Sequence, residues 1–272
     1  MPKSYFCKLV AYATNFYPSH HSLCMKILVC ISSVPDTTSK INFTADKSAF
    51  DKNGIQWVIN PLDEFALTKA IKLQESQGAT VTVLNVGDAG TEAVIRKALA
   101  IGANDAVRVN AEAKDSFSVA KEIAKVAQDG GYDLILTGKE SIDYNGGAVP
   151  GMVAQLLNYA FVNASVGLEV NGSEATAVRE IEGGKETISV KLPAVVAGQK
   201  GLVDEKDLII PNMRGIMSAR TKPLQVVEPS NSEVKVEAVS FDSVAPRAAV
   251  KLVSADNLDE LVRLLHEEAK VI

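Results

Sequence analysis

The stretch richest in residue types that do chemistry is Asp133–Gly151, which reads Asp-Leu-Ile-Leu-Thr-Gly-Lys-Glu-Ser-Ile-Asp-Tyr-Asn-Gly-Gly-Ala-Val-Pro-Gly. Leu134–Leu136 suits a strand buried on both faces. Thr137 and Gly138 stand at its carboxyl end, and Gly146, Gly147 and Gly151 lead into an apolar helical pattern over Met152–Leu157. With a strand, a glycine-containing loop and a helix start, an open α/β sheet builds an anion site. Glycine lets the backbone approach a phosphate, and the first amides of the helix point at it. An ordinary strand-to-helix crossover has the same outline, and the run matches neither G-x-G-x-x-G nor G-x-x-x-x-G-K-[ST]. On these residues alone both readings stand.

Other candidates for chemistry are few. There is no G-x-S-x-G elbow and no C-x-x-C pair. Asp63-Glu64 and Asp204-Glu205 are paired carboxylates, but such pairs at helix and loop starts are ordinarily solvated. Outside the first 24 residues the one histidine is His266, in a C-terminal helical pattern where it reads as solvated surface, so a Ser/His/Asp set has no base to use. Cys7, Cys24 and Cys30 are early and odd in number, which disfavours a disulfide framework and fits a reducing cytosol. His20-His21 has no further Cys/His cluster to complete a zinc site. A formal net charge of -5 argues against nucleic acid as a main partner. No apolar run approaches the roughly 20 residues of a membrane-spanning helix. What remains is the binding of a cofactor that brings its own chemistry.

The elements that must position this loop follow from periodicity. The 272 residues, 47% hydrophobic and 22% charged, allow one large domain or a domain with an appendage. Residues 1–24 hold aromatic residues without a steady period and no signal-type apolar core. They read as an unstructured leader or a start codon placed too early. From Met25 strands alternate with helices: strands at Ile27–Ile31, Val81–Val86, Ala106–Val109 and Leu134–Leu136, and helices at Leu62–Gln77, Thr91–Ile101, Ser116–Gln128 and after Pro150. Thr91 is placed as an N-cap and Gly78 as a C-cap, and residues 32–51 read as irregular. This alternation implies βαβ units around a mostly parallel open sheet. Beyond Ala160, Val166–Val170, Thr176–Ile181 and Glu186–Leu192, joined at Asn171-Gly172 and Gly183-Gly184, read as an antiparallel ribbon. Pro193–Ala197 returns to a buried strand, and Gly198–Thr221 is irregular with a short helix at Asn212–Arg220. Leu224–Val227 is apolar, Pro229–Ser232 is linker-like, and Asp256–Val271 is expected as one amphipathic helix.

The ribbon carries a resemblance. Ala177-Val-Arg-Glu-Ile-Glu-Gly-Gly-Lys-Glu-Thr-Ile-Ser-Val-Lys-Leu-Pro193-Ala-Val-Val-Ala197 closely resembles the signature of the electron transfer flavoprotein β subunit, with Arg179, Glu182, Gly183, Gly184, Glu186, Ile188, Pro193, Val195 and Val196 in place. Lys26-Ile-Leu-Val, Asn60-Pro61, Arg96-Lys-Ala-Leu-Ala-Ile-Gly-Ala, and Gly138-Lys139 with Ile142-Asp143 agree with it. The likeness spans about Met25 to Ile272. It implies a Rossmann-like α/β nucleotide-binding fold over residues 25–228, and a C-terminal arm plus helix over 229–272 that packs on an α subunit. It implies a heterodimer, placed in the cytoplasm by the cysteine usage above, in which the α subunit holds most of an FAD and this subunit holds AMP as a structural ligand. By position the AMP site would comprise Cys30, Asn60, Pro61, Leu62, Asp63 and Val86. It would also take the loop Gly138, Lys139, Glu140, Ser141, Ile142, Asp143, Tyr144, Asn145, Gly146, Gly147, Ala148 and Val149. Residues 198–221 would be a recognition loop that docks on flavin-dependent dehydrogenases, such as an acyl-CoA dehydrogenase, through an exposed apolar anchor. That anchor is Met213 if Ile216-Met217 aligns with the family's Ile-Met, and Ile210 if Pro211-Asn212 aligns instead. Electrons would leave to a quinone reductase or another acceptor.

The sequence departs from that pattern in three places. The loop Glu205–Met217 is longer than usual and lacks a Glu-Pro-Arg-Tyr run. Thr37 stands where a tyrosine that helps cover the flavin is often found. Gly147-Ala148-Val149 replaces Asn-Gln-Thr, leaving backbone amides for the phosphate grip. The last change keeps open a bifurcating relative with a second FAD in place of AMP. A stand-alone adenine-nucleotide-binding protein is the reading from another class.

Overall fold

The computed structural model describes residues 24–230, 232–245, 247 and 249–272. The leader, with Cys7, His20 and His21, lies outside them except for Cys24. Two compact units are present: one runs to Ser39 and resumes over Gly54–Glu237, and the other combines Lys40–Asn53 with Ala238–Ile272.

In the first unit the chain runs β1 (Lys26–Cys30), β2 (Ser33–Pro35), β3 (Trp57–Ile59), α1 (Pro61–Gln77), β4 (Thr80–Val86), α2 (Glu92–Ile101), β5 (Asp105–Val109), α3 (Ser116–Gly130), β6 (Leu134–Gly138) and α4 (Val149–Leu157). It continues through β7 (Ala160–Asn171), β8 (Glu174–Ile181), β9 (Gly184–Lys191), β10 (Ala194–Gly198), α5 (Met213–Ala219) and β11 (Leu224–Val227). The sheet order is β11-β5-β4-β1-β6-β10-β7-β8-β9. Pairing is parallel from β11 to β7 and antiparallel through β8 and β9. The α/β reading with an attached antiparallel ribbon therefore holds. A separate antiparallel pair joins β2 to β3, in and just beyond a stretch expected to be irregular.

Successive side chains of a strand face opposite ways, and this sorts the core into two layers. Ile27, Val29, Leu134, Leu136 and Val196 pack with α1 and α2, whereas Leu28, Cys30, Ile135 and Val195 pack with α3 and α4. β6 and β10 are buried along their whole length, as runs covered on both faces must be. Each fully buried leucine or isoleucine contributes about 1.5–3 kcal/mol. The first strand of the ribbon starts earlier than its alternation suggests. β7 pairs with β10 before it pairs with β8, and its register shifts between Ser165 and Gly167.

Helix ends follow the sequence with one correction. Gly78 takes the left-handed conformation that closes α1, its amide reaching the Gln74 carbonyl. Thr91 precedes α2, but its side chain does not cap it. Asp88 opens a short 3-10 turn at Ala89–Thr91 by accepting from the Gly90 amide, and the Thr91 hydroxyl donates back to the Asp88 carbonyl. Among the described residues no helix is long and apolar enough to cross a membrane.

In the second unit Phe43 bridges to Phe50 and stacks on Phe241 with ring centroids 5.3 Å apart. The expected helix over Asp256–Val271 is shorter: α6 covers Leu258–Arg263 and gives way to a wider turn at Leu264–Glu268. Its Leu258, Leu261 and Val262 are exposed, so the apolar stripe lacks the burial that holds a short helix together in water. His266 is exposed there, as expected of solvated surface.

Candidate functional site

Strand order turns round at β1. The chain passes from β1 to β4 and β5 on one side, and only after α3 does it return to β6 on the other. The loops after β1 and β6 leave the sheet in opposite directions, and the crevice between their carboxyl ends is where open α/β sheets take ligands.

Asn60 and Asp63 hold that crevice together. Pro61 opens α1, where a missing N–H costs nothing, and this sets Asp63 in the first turn. Asp63 is buried, not solvated as its pairing with Glu64 suggested, because two strand ends close over it. Its Oδ2 accepts from the Ser32 amide at 2.7 Å and its Oδ1 from the Gly138 amide at 2.7 Å. Glu64 instead reaches Lys97 at 2.6 Å. Asn60 donates from Nδ2 to the Glu140 carbonyl at 2.9 Å and accepts from the Ile142 amide at 3.3 Å. Gly138 is required at this contact: a Cβ there would stand 2.5 Å from Asp63 Oδ1 and 2.8 Å from Leu62 Cβ. Burial pushes the Asp63 carboxyl up to about 7; the Ser32 and Gly138 amides and Asn60 pull the other way, and nearby Asp143 adds to the rise.

The rest of the loop is tied mainly to itself. Ser141 and Gly146 bridge, the Ser141 amide reaching the Gly146 carbonyl at 3.1 Å. Asp143 accepts from the Ser141 hydroxyl at 2.6 Å and from the Tyr144 amide at 2.8 Å. Asn145 takes a left-handed φ of 51°, which asparagine tolerates better than most residues. Lys139 donates its amide to the Gly198 carbonyl at 2.8 Å, pinning the loop to the end of β10. Tyr144 stands exposed at the tip. Ala148 gives no side-chain cap to α4, so the amides of its first turn lack intrahelical acceptors. With the polar side chains at 141 and 143 spent inside the loop, its outward offer is largely backbone.

Cys30 ends β1 in the layer opposite α1, and burial together with the charge of Asp63 pushes its thiol up, keeping it protonated. Val86 ends β4, half-buried, one strand further from the crevice. Thr137, not counted among the site residues from sequence, is buried at the carboxyl end of β6 with its hydroxyl oxygen lacking a hydrogen-bond partner. An added Cβ at Gly146 would meet nothing within 4 Å. A buried hydroxyl without a partner beside an open, amide-rich loop fits a ligand that hydrogen-bonds.

Met213 and Ile210 lie in a second loop, after β10, and are not brought to the crevice. Both are exposed, Ile210 at 84% and Met213 at 73%, with Met217 beside them. The short helix expected here forms as α5, with Asn212 accepting from the Gly215 amide at 2.8 Å. The device that holds it was not foreseen. Arg96 of α2 donates from Nη1 to the carbonyls of Ala219 and Lys222, each at 2.9 Å. Lys222 donates in return to the carbonyls of Leu99 at 2.9 Å and Ala103 at 2.5 Å. Each helix end thus receives a cation from the other, satisfying carbonyls that an α-helix leaves unpaired. Of the two cations only Lys222 follows a helix end in sequence, whereas Arg96 sits in the middle of α2, inside a run noted only for its likeness. Gly215 packs directly on the Ala100 carbonyl, leaving no room for a side chain.

The linker-like segment after Pro229 is also anchored. Glu122 accepts from the Ser230 amide and hydroxyl and from the Ser232 hydroxyl, which hold its carboxyl below the usual range although burial pushes it up. Asp115 accepts from the amides of Lys235 at 2.7 Å and Val236 at 3.1 Å while capping α3.

Residues 48–232 match the family model described as Electron transfer flavoprotein domain. The chain is 35% identical over 262 residues to a protein of Bacillus subtilis (strain 168) named Electron transfer flavoprotein subunit beta, covering 91% of this chain and 100% of that one. Proteins with the same name are 32% identical over 252 residues in Bradyrhizobium diazoefficiens, with 91% and 100% covered, and 30% identical over 257 residues in Homo sapiens, with 91% and 99% covered.

Proposed function

The chain belongs to the electron transfer flavoprotein β-subunit family, which carries electrons and makes no bonds, and we propose that it is the AMP-holding half of a heterodimer with an α subunit. The observation that carries this reading is the crevice at the strand-order reversal, with Asn60 and Asp63 tying down the loops on its two sides. AMP lies there with its phosphate on the amides of residues 146–149, and Thr137 offers its buried hydroxyl. Flavin, held mostly by the α subunit, supplies the electron chemistry when bound. The exposed Ile210 and Met213 support docking on flavin-dependent dehydrogenases such as an acyl-CoA dehydrogenase, from which electrons pass on to a quinone reductase. The exposed apolar residues of Ala238–Ile272 support packing of the arm and helix on the α subunit. The complex works in the cytoplasm.

Co-expression with an α subunit followed by ligand extraction tests the reading. One FAD and one AMP per heterodimer is the expected result. Two FAD per heterodimer would replace it with electron bifurcation, the alternative that the Gly147-Ala148-Val149 run keeps open by removing side-chain contacts to the phosphate. A stable, nucleotide-free monomer that never pairs with a flavin-binding subunit would sink it.

A further inference from the structure

Pro229–Ser232 has the composition of a linker, yet the first compact unit does not stop there. It continues to Glu237, and the second unit resumes at Ala238. Apolar burial does not hold the residues between, since Val234 and Val236 are exposed. Two carboxylates of the α3 segment do.

Asp115 and Glu122 are seven positions apart, two turns along one face of the helix and about 10 Å along its axis. Glu122 is buried and accepts from the Ser230 amide at 3.0 Å, the Ser230 hydroxyl at 2.6 Å and the Ser232 hydroxyl at 2.8 Å. Asp115 divides its oxygens. Oδ1 accepts from the Ser118 amide at 2.8 Å and caps α3, while Oδ2 accepts from the Lys235 and Val236 amides at 2.7 and 3.1 Å. The Lys235 ammonium goes to Glu233 at 2.5 Å instead. The chain from Ser230 to Lys235 can reach up to about 17 Å, so it spans the two carboxylates with slack. Hydrogen bonds to an ionised acceptor are stronger than neutral ones.

We propose that residues 230–236 are a strap latched to α3 before the subunit meets a partner, so that the chain becomes free at Ala238 and not at Pro229. The latch shortens the part of the arm that an α subunit has to order, and a segment ordered in advance is not ordered again on binding. The proposal rests on the reading above that the arm packs on an α subunit, and adds the point from which that packing starts.

Hydrogen exchange on the free full-length chain and on the α/β heterodimer tests it. In the free chain the amides of Ser230, Lys235 and Val236 are expected to be protected together with α3, and those of Val250 and Leu252 only in the heterodimer. Asp115→Asn is the discriminating variant: asparagine caps a helix as well as aspartate does, but it has one oxygen where cap and latch need two. It is expected to speed exchange at Lys235 and Val236 at least about tenfold with α3 unchanged. Combined with Ser230→Ala, it is expected to raise the Kd for the α subunit, measured by titration, about fivefold. Exchange at Lys235 and Val236 in the free chain as fast as at Val250 would overturn the proposal, as would loss of protection across α3 itself. Equal Kd values for the double variant and the unaltered chain would overturn it too. Failure of the unaltered chain to pair with an α subunit would overturn the arm-packing reading instead, and is told apart because the strap amides stay protected in the free chain.

Discussion

Two loops leave neighbouring strands at the carboxyl edge of the sheet, one after β6 and one after β10, and they are held by opposite chemistry. The first is fixed chiefly by a buried carboxylate and amide, Asp63 and Asn60, which reach the backbone of Gly138, Glu140 and Ile142. The second is fixed by Arg96 and Lys222, which donate to helix-end carbonyls. The first is fastened by buried side chains at the start of α1, and beside the exposed Tyr144 it presents the backbone of residues 146–149. The second is fastened from its rear, leaving side chains such as Ile210 and Met213 outward. Backbone suits a small ligand approached closely. Projecting apolar side chains suit another protein.

The contrast breaks most readily at Asp63. Asp63→Ala would leave the buried amides of Ser32 and Gly138 without acceptors, and loses about 2–4 kcal/mol of stability along with nucleotide retained through purification; urea denaturation and ligand content measure both. The same carboxyl gives a pH signature. Its folded pKa of about 7 lies above the ordinary 3.8, so between those values the folded chain keeps a proton that the unfolded chain has released. Stability therefore falls as pH rises through that window, by at most about 1.4 kcal/mol per pH unit, and levels off above about 7. Equal slopes in the unaltered protein and Asp63→Asn would remove Asp63 from that account. The second loop is softer. Arg96→Met is expected to cost about 1–2 kcal/mol and to speed hydrogen exchange of the α5 amides while sparing those of α4; uniform exchange across both helices would erase the distinction. The smallest effect belongs to Lys72, whose side chain and that of its partner Asp207 are 38% and 42% exposed. Lys72→Ala should leave the denaturation midpoint within its scatter, and a clear drop would mean that the second loop leans on surface charge after all.

What could be read from sequence divides along the same line. Leu134–Leu136 and Pro193–Ala197 announced themselves because strands covered on both faces need unbroken apolar runs. β7 did not, because the register shift at Ser165 and Gly167 breaks the period-2 pattern and hides everything before Val166. β2 and β3 are too short to show a period. The crevice was legible as a loop but its fastening was not. Asp63 is buried only because the fold brings the ends of β1 and β6 onto one helix turn, and adjacency to Glu64 says nothing of that. Arg96 and Lys222 act on carbonyls, and every residue has one, so no residue type marks the acceptors. Over Asp256–Val271 the apolar period is present, yet a period specifies a helix only where a surface buries it.

Trp57 is the chain's one tryptophan. It lies in β3, paired with Pro35, partly buried against the layer under α1 and shortly before Asn60. The protein's tryptophan emission therefore has a single origin, three residues before Asn60 in the chain. Shifts in its wavelength or intensity on adding AMP would report on one locality without a dye, and titrations could be read directly.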